Sequence, residues 1–423
     1  MGQFALVDGN CFYVSCERLF NPGLEGRPVI VLSNNDGCVV SRSNEAKALG
    51  IEMAAPAFLM KDLLKRHNVA VFSSNYNLYG DLSRRMMSVL GRLAPRIEVY
   101  SIDEAFLDLG ETPGADGWAR GYWIRAEVLR QTGIPTGVGI APTKTLAKVA
   151  NRLAKKHPGH GGVFVLEKPA DIEAALRALP VGEVWGIGSQ YARLLAGKGV
   201  TTARDFAQLP AEWVRRNLTV VGARLQLELQ GVPCLDMETL VSPKKNICTS
   251  RSFGQMLTDF GGVSEAVAHH AHRCACKLRA QGSAAGVMTV FLHTNPFKPG
   301  LPQYNPSRTV VLPTATNSSL LLVGHAEAAL KAIWRAGYAY KKAGVIVSGI
   351  VPEHEIQLGF EASTIDIGKH KRLMQAVDAL RGRYGHGAVS VATQGTANAW
   401  RLRQERLTRR FTTSWGEMLE LGG

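Results

Sequence analysis

What most constrains this chain is a set of short apolar runs that end on, or start beside, acidic residues. Phe4-Ala-Leu-Val-Asp8 is too short for a stable helix and closes on a carboxylate, so it reads as a buried strand with a charge at its end. Arg96-Ile-Glu-Val-Tyr100 and Ala105-Phe-Leu-Asp-Leu109 are β-like runs separated by Ser101-Ile-Asp-Glu104, and Thr136-Gly-Val-Gly-Ile140 is a further strand. Between them the period changes. Leu78, Leu82, Met86, Val89, Leu90 and Leu93 recur at helical spacing and predict an amphipathic helix over 78–94, with a second helix near 118–132. A strand at Pro28-Val-Ile-Val-Leu32 leads into polar Ser33-Asn-Asn-Asp-Gly-Cys38, and a helix follows at Asn44–Leu49, stopped by Gly50. Strands interleaved with helices define an α/β unit that ends near residue 167.

Within one extended strand Asp103 and Glu104 would point to opposite faces. At a hairpin tip that alternation breaks, and both carboxylates can converge beside Asp8 at the end of its own strand. Three carboxylates on an α/β sheet form a hard oxygen site suited to Mg²⁺. Two such ions about 3.5–4 Å apart would serve nucleotidyl transfer. Taken singly, each acid reads as an ordinary solvated charge.

The chain is 423 residues long, enough for two to four domains. With 46% hydrophobic and 20% charged residues it is globular. No apolar run approaches the roughly 18–20 residues of a membrane span, and the N-terminus meets Asp8 too early for a signal peptide. Seven cysteines without framework spacing suit free thiols in a reducing cytoplasm. Lys plus Arg outnumber Asp plus Glu by 49 to 35, a net charge of +14 that fits a polyanionic partner.

Residues 168–235 read as helical and hold Val184-Trp-Gly-Ile-Gly188, a turn that resembles a helix-hairpin-helix, where Gly186 and Gly188 would let backbone N–H groups approach a phosphate. Ser242-Pro-Lys-Lys-Asn246 reads as a linker. Beyond it, helices across 263–281 and near 324–336 alternate with strands at 287–292 and 344–350. The basic end, Trp400 to Trp415, reads as a tail. Gly137-Val-Gly-Ile-Ala-Pro-Thr-Lys144 fails the spacing of a phosphate-binding Walker loop, so it reads as a strand followed by a basic helix. His269, His270, His272, Cys274 and Cys276 put His/Cys pairs at i, i+4. No closing pair lies nearby, so these read as incidental helix residues rather than a zinc site.

Asp8-Gly-Asn-Cys-Phe-Tyr13, Tyr100-Ser-Ile-Asp-Glu-Ala-Phe106 and Gly137-Val-Gly-Ile-Ala-Pro-Thr-Lys-Thr-Leu-Ala-Lys148 closely resemble the motifs of Y-family translesion DNA polymerases. Ser33–Cys38, Ser73-Ser-Asn-Tyr-Asn-Leu-Tyr79 and Thr412-Thr-Ser-Trp415 narrow the resemblance to the UmuC branch, the catalytic subunit of bacterial DNA polymerase V. The likeness runs the length of the chain.

The resemblance implies a multidomain α/β (α+β) right hand: palm 1–18 and 78–167, fingers 19–77, helical thumb 168–241, little finger 242–351, and a partner-binding tail 352–423. It implies error-prone translesion synthesis in the SOS response, with two Mg²⁺ ions, or Mn²⁺ in their place, on Asp8, the Gly9 carbonyl, Asp103 and Glu104. Tyr13 would be a steric gate against ribose. Phe12 and Tyr13 would face opposite ways on a strand, and Ser41, Lys47 and Lys155 would complete the nucleotide site. Lys244, Lys245 and Arg251 would meet the template backbone.

The implied partners are primer-template DNA, dNTPs, a processed UmuD-like dimer, a RecA filament and the sliding clamp. The clamp motif is altered here: Gln357-Leu358-Gly-Phe360 is one residue short and has Gly before its Phe. A non-catalytic DNA-binding subunit and a palm-fold nucleotide cyclase are the readings from other classes. The first is disfavoured by the intact acids, the second by the thumb hairpin and basic little finger.

Overall fold

The computed structural model describes residues 2–110, 116–239, 242–357, 366–385, 387–396 and 400–420. They divide into two compact units, one of residues 1–33, 38–241 and 406–423, the other of 34–37 and 242–405. The first unit opens with β1 (Phe4–Gly9), α1 (Phe12–Phe20), β2 (Val29–Leu32), β3 (Val39–Arg42) and α2 (Asn44–Ala48). It continues through α3 (Lys61–Arg66), β4 (Ala70–Ser73), α4 (Tyr76–Leu93), β5 (Arg96–Val99) and β6 (Glu104–Asp108). Next come α5 (Gly117–Thr132), β7 (Thr136–Ala141), α6 (Lys144–Lys156) and β8 (Val163–Val165). The helices α7 (Pro169–Ala178), α8 (Ser189–Ala196), α9 (Ala203–Ala207) and α10 (Ala211–Leu229) follow.

The main sheet has the order β5-β6-β1-β7-β8, with β1 antiparallel to both of its neighbours. A small sheet places β2 between antiparallel β3 and parallel β4. Strand β1 is central and covered on both faces. Ala5 and Val7 enter a core with residues of α4 and α5, while Leu6 enters a second core with residues of α6 and the later helices. Burying a valine or leucine side chain this way contributes about 1.5–3 kcal/mol, so the register of β1 is firmly held. Period-2 alternation then puts Asp8 on the Leu6 face. In β6, Ala105 and Leu107 share the first core and Phe106 the second, which puts Glu104 on that same face.

Most expected elements of this unit form within a few residues of their expected ends. One local expectation is corrected: Phe12 and Tyr13 open a helix rather than lie on a strand. Cys11 adopts a left-handed conformation (φ 46°, ψ 46°) that turns the chain out of β1 and into α1. The short strands β3 and β4, four residues each, were not legible in the sequence.

The second unit contains β9 (Ile247–Leu257), α11 (Phe260–Ala280), β10 (Ser283–Thr294), β11 (Ser307–Thr316), α12 (Ser319–Ile333), β12 (Tyr340–Pro352) and α13 (Ile367–Tyr384). Its antiparallel sheet has the order β11-β10-β12-β9, and residues of α11 and α12 share its core. Residues 242–246 carry no regular structure, as expected of a linker. The basic end is a packed segment rather than a loose tail. Trp400 is 3% exposed in the core of the second unit, and in the first unit Phe411 stacks on Phe20 at 4.6 Å. All seven cysteines are free thiols. Among the described residues no helix is long and apolar enough to cross a membrane.

Candidate active site

Asp8 and Glu104 stand directly opposite each other across the β1–β6 ladder, at the ends of their strands. Their carboxyl groups are close enough to interact electrostatically. Burial holds the Asp8 carboxyl up at about 7 against the pull of Lys155, and neighbouring Glu104 adds to the rise. Lys155 Nζ lies 2.6 Å from Asp8 Oδ1, and Lys148 Nζ donates to both oxygens of Glu104 at 3.2 Å. Asp103 sits one residue earlier, in the turn. Its backbone carbonyl accepts from the Gly9 N–H at 2.8 Å, and its carboxylate accepts from Ser101 Oγ at 2.7 Å. Its charge acts on Tyr13 and Cys16 of α1. The turn therefore brings the three acids to one strand end but splits the pair, Glu104 toward α6 and Asp103 toward α1. Among the described residues no three such side chains yet form a closed metal cage.

Helix α6 supplies the opposing charge. Thr143 caps it, accepting from the Leu146 N–H, so the segment is a strand followed by a basic helix, as its spacing indicated. Gly139 lets α6 lie against β7, because a Cβ there would meet Asn151 N at 2.1 Å and Ala147 O at 2.5 Å. The Asn151 side chain stitches the helix to the sheet through the carbonyls of Gly137 (2.9 Å) and Leu6 (3.3 Å). Two buried acids hold the helix start. Glu98 pairs with Lys144 at 2.6 Å, and Glu228 accepts from the Thr145 N–H at 3.0 Å.

A cleft of about 650 Å³ lies above the acids, lined by Asp8, Glu104, Lys148, Arg152, Lys155, Arg42, Lys47 and Trp185, among others. Sequence reasoning missed Lys148 and Arg152. The signal was present as a basic stripe, Lys144, Lys148 and Arg152 at i, i+4, i+8. It also missed the aromatic box around Lys148, whose ammonium lies 4.2 Å from the Tyr100 ring centre and 5.4 Å from that of Trp185. Trp185 Nε1 donates to the Tyr100 hydroxyl at 3.0 Å.

Of the other expected nucleotide contacts, Tyr13 is half-buried and stacks on Tyr79, with ring centres 4.5 Å apart, while Phe12 is 3% exposed in the core. Burial pushes the Tyr13 hydroxyl up to about 12. Lys47 donates to Asn44 Oδ1 at 3.0 Å on the cleft wall. Ser41 is 6% exposed on the inner face of β3, and it is the next residue, Arg42, that lines the cleft.

Gly186 takes a positive φ of 88°, and Gly188 stands immediately before α8 with open space where a Cβ would be. Lys244, Lys245 and Arg251 are exposed, Arg251 on β9. Gln357 is exposed, and Leu358 and Phe360 lie outside the described residues. The His/Cys cluster is packed into the core of the second unit. His270 and Cys274 are fully buried on α11, and Cys274 Sγ donates to Thr249 Oγ1 at 3.3 Å.

The donor set on the first unit fits hard divalent cations. Two facing, half-buried carboxylates rest on ammonium groups, with a third carboxylate and the strand-end backbone beside them.

The impB/mucB/samB family model matches residues 7–152, the C-terminal domain of that family matches 244–360, and a domain of unknown function (DUF4113) matches 371–421. The chain belongs to the impB/mucB/samB family. It is 41% identical over 421 residues to Protein UmuC of Salmonella typhimurium, covering 99% of this chain and 100% of that one. It is also 41% identical to Protein ImpB of Salmonella typhimurium over 419 residues, 98% and 99% of the two chains. DNA polymerase IV of Moorella thermoacetica is 29% identical over 406 residues, 92% of this chain and 96% of that one. Among solved structures, a Y-family DNA polymerase chimera matches with a TM-score of 0.66 at 22% identity, over 82% of this chain and 99% of that one. The fold is thus the Y-family polymerase fold, and the UmuC branch expected from the motifs is the right one.

Proposed function

We propose that the chain is an error-prone, template-directed DNA polymerase that extends primers past damaged bases. The observation that carries this reading is the facing pair Asp8 and Glu104 at the floor of a basic cleft. In this reading the main sheet with α4–α6 is the palm, the β3-β2-β4 region the fingers, α7–α10 the thumb and the second unit the little finger. Asp8, Asp103, Glu104 and the Gly9 carbonyl would hold two Mg²⁺ ions. When bound, these supply charge neutralisation for the attacking 3′-hydroxyl and the departing pyrophosphate.

The protein's own groups do the rest. Lys155, Lys148, Arg152, Arg42 and Lys47 present a basic wall that binds and orients the triphosphate. Lys155 and Lys148 exchange a carboxylate for phosphate oxygens as nucleotide arrives. The Tyr13 ring meets the sugar and excludes a 2′-hydroxyl. Gly186 and Gly188 offer backbone N–H groups to the duplex backbone, and Lys244, Lys245 and Arg251 add sequence-independent phosphate contacts. A UmuD-like dimer and a RecA filament are the proposed protein partners, with the altered Gln357–Phe360 segment as a clamp contact.

Primer extension by Asp103→Ala is the test. The variant should lose activity by about 10³-fold or more, and unchanged extension would refute the polymerase mechanism.

A further inference from the structure

The C-terminal stretch that matches a domain of unknown function contains a segment, Arg406–Phe411, that is built into the first unit. The Ser73 N–H donates to the Arg406 carbonyl at 2.9 Å, and the Arg406 N–H donates back to Ser73 Oγ at 3.0 Å. Asn75, 2% exposed, uses its two ends differently. Its Oδ1 caps α4 at the Leu78 N–H, and its Nδ2 donates to the Thr408 carbonyl (3.1 Å), Thr408 Oγ1 (3.1 Å) and the Arg409 carbonyl (3.2 Å). The Phe411–Phe20 stack closes the segment onto α1.

The segment ends a chain of contacts that starts at Tyr13, on α1 within electrostatic reach of Asp103. Tyr13 stacks on Tyr79 nearly parallel, at an interplanar angle of 15°. The Tyr79 hydroxyl donates to Glu17 Oε1 at 2.5 Å, and Thr408 Oγ1 donates to the same oxygen at 3.2 Å. Glu17 is 2% exposed, and burial holds its carboxyl up at about 6. A buried carboxylate needs donors to stay in place, and two of its hydrogen-bond donors are the ring that backs Tyr13 and the C-terminal segment. Phe12 and Tyr76 also meet the Tyr13 ring, each at 6.0 Å between ring centres and tilted or edge-on, while Tyr79 is the ring stacked flat against it.

We propose that residues 406–411 are a specificity element of the sugar site: through Thr408, Glu17 and Tyr79 they fix the Tyr13 ring and with it the discrimination against ribonucleotides. This rests on the reading of the cleft as a polymerase site with Tyr13 as its gate. Thr408, Glu17 and Tyr79 are positioning residues, since each acts through the Tyr13 ring.

The test is the ratio of kcat/KM for a dNTP over the matching rNTP, measured with full-length protein on primer-template alongside thermal melting. Thr408→Val keeps the shape and removes the hydroxyl, Thr408→Ser restores the hydroxyl, and Tyr79→Phe keeps the stack and removes its link to Glu17. Thr408→Val and Tyr79→Phe should each lower the ratio by about five- to tenfold, a part of the worth of one hydrogen bond to a charged group. The change should come from faster rNTP use, with dNTP incorporation within about twofold of the parent. Thr408→Ser should match the parent.

An unchanged ratio in both Thr408→Val and Tyr79→Phe, with only the melting point lowered, would overturn the proposal and leave the segment a brace for folding alone. Should Thr408→Val fail to fold, Tyr79→Phe decides by itself. Tyr13→Ala separates the two levels. If it leaves the ratio at the parent value, the gate reading fails; if it collapses the ratio while the other two variants do not move it, only the present proposal fails. A parent that extends no primer overturns the polymerase reading and this proposal with it.

Discussion

Two regions of this molecule gather metal-ligating residue types, and the fold treats them oppositely. Asp8 lies about a hundred residues from Asp103 and Glu104, yet antiparallel pairing sets Asp8 and Glu104 face to face beside Lys148 and Lys155 at an open cleft. His269, His270, His272, Cys274 and Cys276 are packed into two turns of α11, yet they spread around the helix, with His270, His272 and Cys274 buried in the second unit and His269 and Cys276 half-buried. The acids keep counter-charges and access to solvent. Among the described residues both ring nitrogens of His270 lack a hydrogen-bond partner. Proximity along the chain is thus a poor guide to a site, whereas register, charge compensation and an open approach are good ones.

The contrast can be broken most sharply by exchanging activity for stability as the readout. Asp8→Ala should cut primer extension by about 10³-fold or more with little change in melting. His272→Ala should extend primers at the parent rate while destabilising the second unit. The reverse pattern would end the distinction between the two regions.

A pH series sharpens it next. Burial and nearby arginines depress His269 to about 4, His270 to about 3 and His272 to about 4. The folded state therefore binds fewer protons than the unfolded chain, whose histidines titrate near 6.5. Stability is fully present above pH 6.5 and is lost as pH falls toward 4, by up to about 1.4 kcal/mol per pH unit for each histidine. In the first unit Glu17 has the opposite sign. Its folded carboxyl sits near 6, above its ordinary 4.5, so falling pH stabilises that region by about 1 kcal/mol between pH 7 and 5. Hydrogen exchange at pH 7 and pH 5 should show faster opening of α11 and no faster opening of α1. Equal acceleration in both would contradict the assignment.

Smaller effects follow. His270→Leu should stabilise the second unit by about 1–2 kcal/mol in denaturant unfolding, because it removes buried polar atoms without partners. A loss of stability would mean that those nitrogens are satisfied. In the cleft, Lys148→Met should raise the KM for dNTP by up to about tenfold, and Lys47→Ala by less, because Lys47 is more exposed to water.

Much of this was legible beforehand, for identifiable reasons. Long periodic segments such as 78–93 and short apolar runs such as 4–8 announce their elements, and the motifs around Asp8, Asp103 and Tyr13 carry the family. What escaped depends on tertiary neighbours. The four-residue strands β3 and β4 are too brief for a period to show, and Cys11 turned an expected strand into α1. Ser41 was chosen where its neighbour Arg42 reaches the cleft, a matter of strand parity that β3 alone reveals. Lys148 looked like any helix lysine until Glu104 and the Tyr100 and Trp185 rings closed around it. The packing of Thr408 onto Glu17, nearly four hundred residues away, left no local mark at all.

The proposed metal centre is the strand-end acids and not the α11 cluster. Direct Mn²⁺ binding by the parent, Glu104→Gln and His272→Ala, read by electron paramagnetic resonance, addresses it without turnover. Glu104→Gln should bind the ion at least about tenfold more weakly than the parent, while His272→Ala binds as the parent does. Full binding by Glu104→Gln together with loss in His272→Ala would contradict the account.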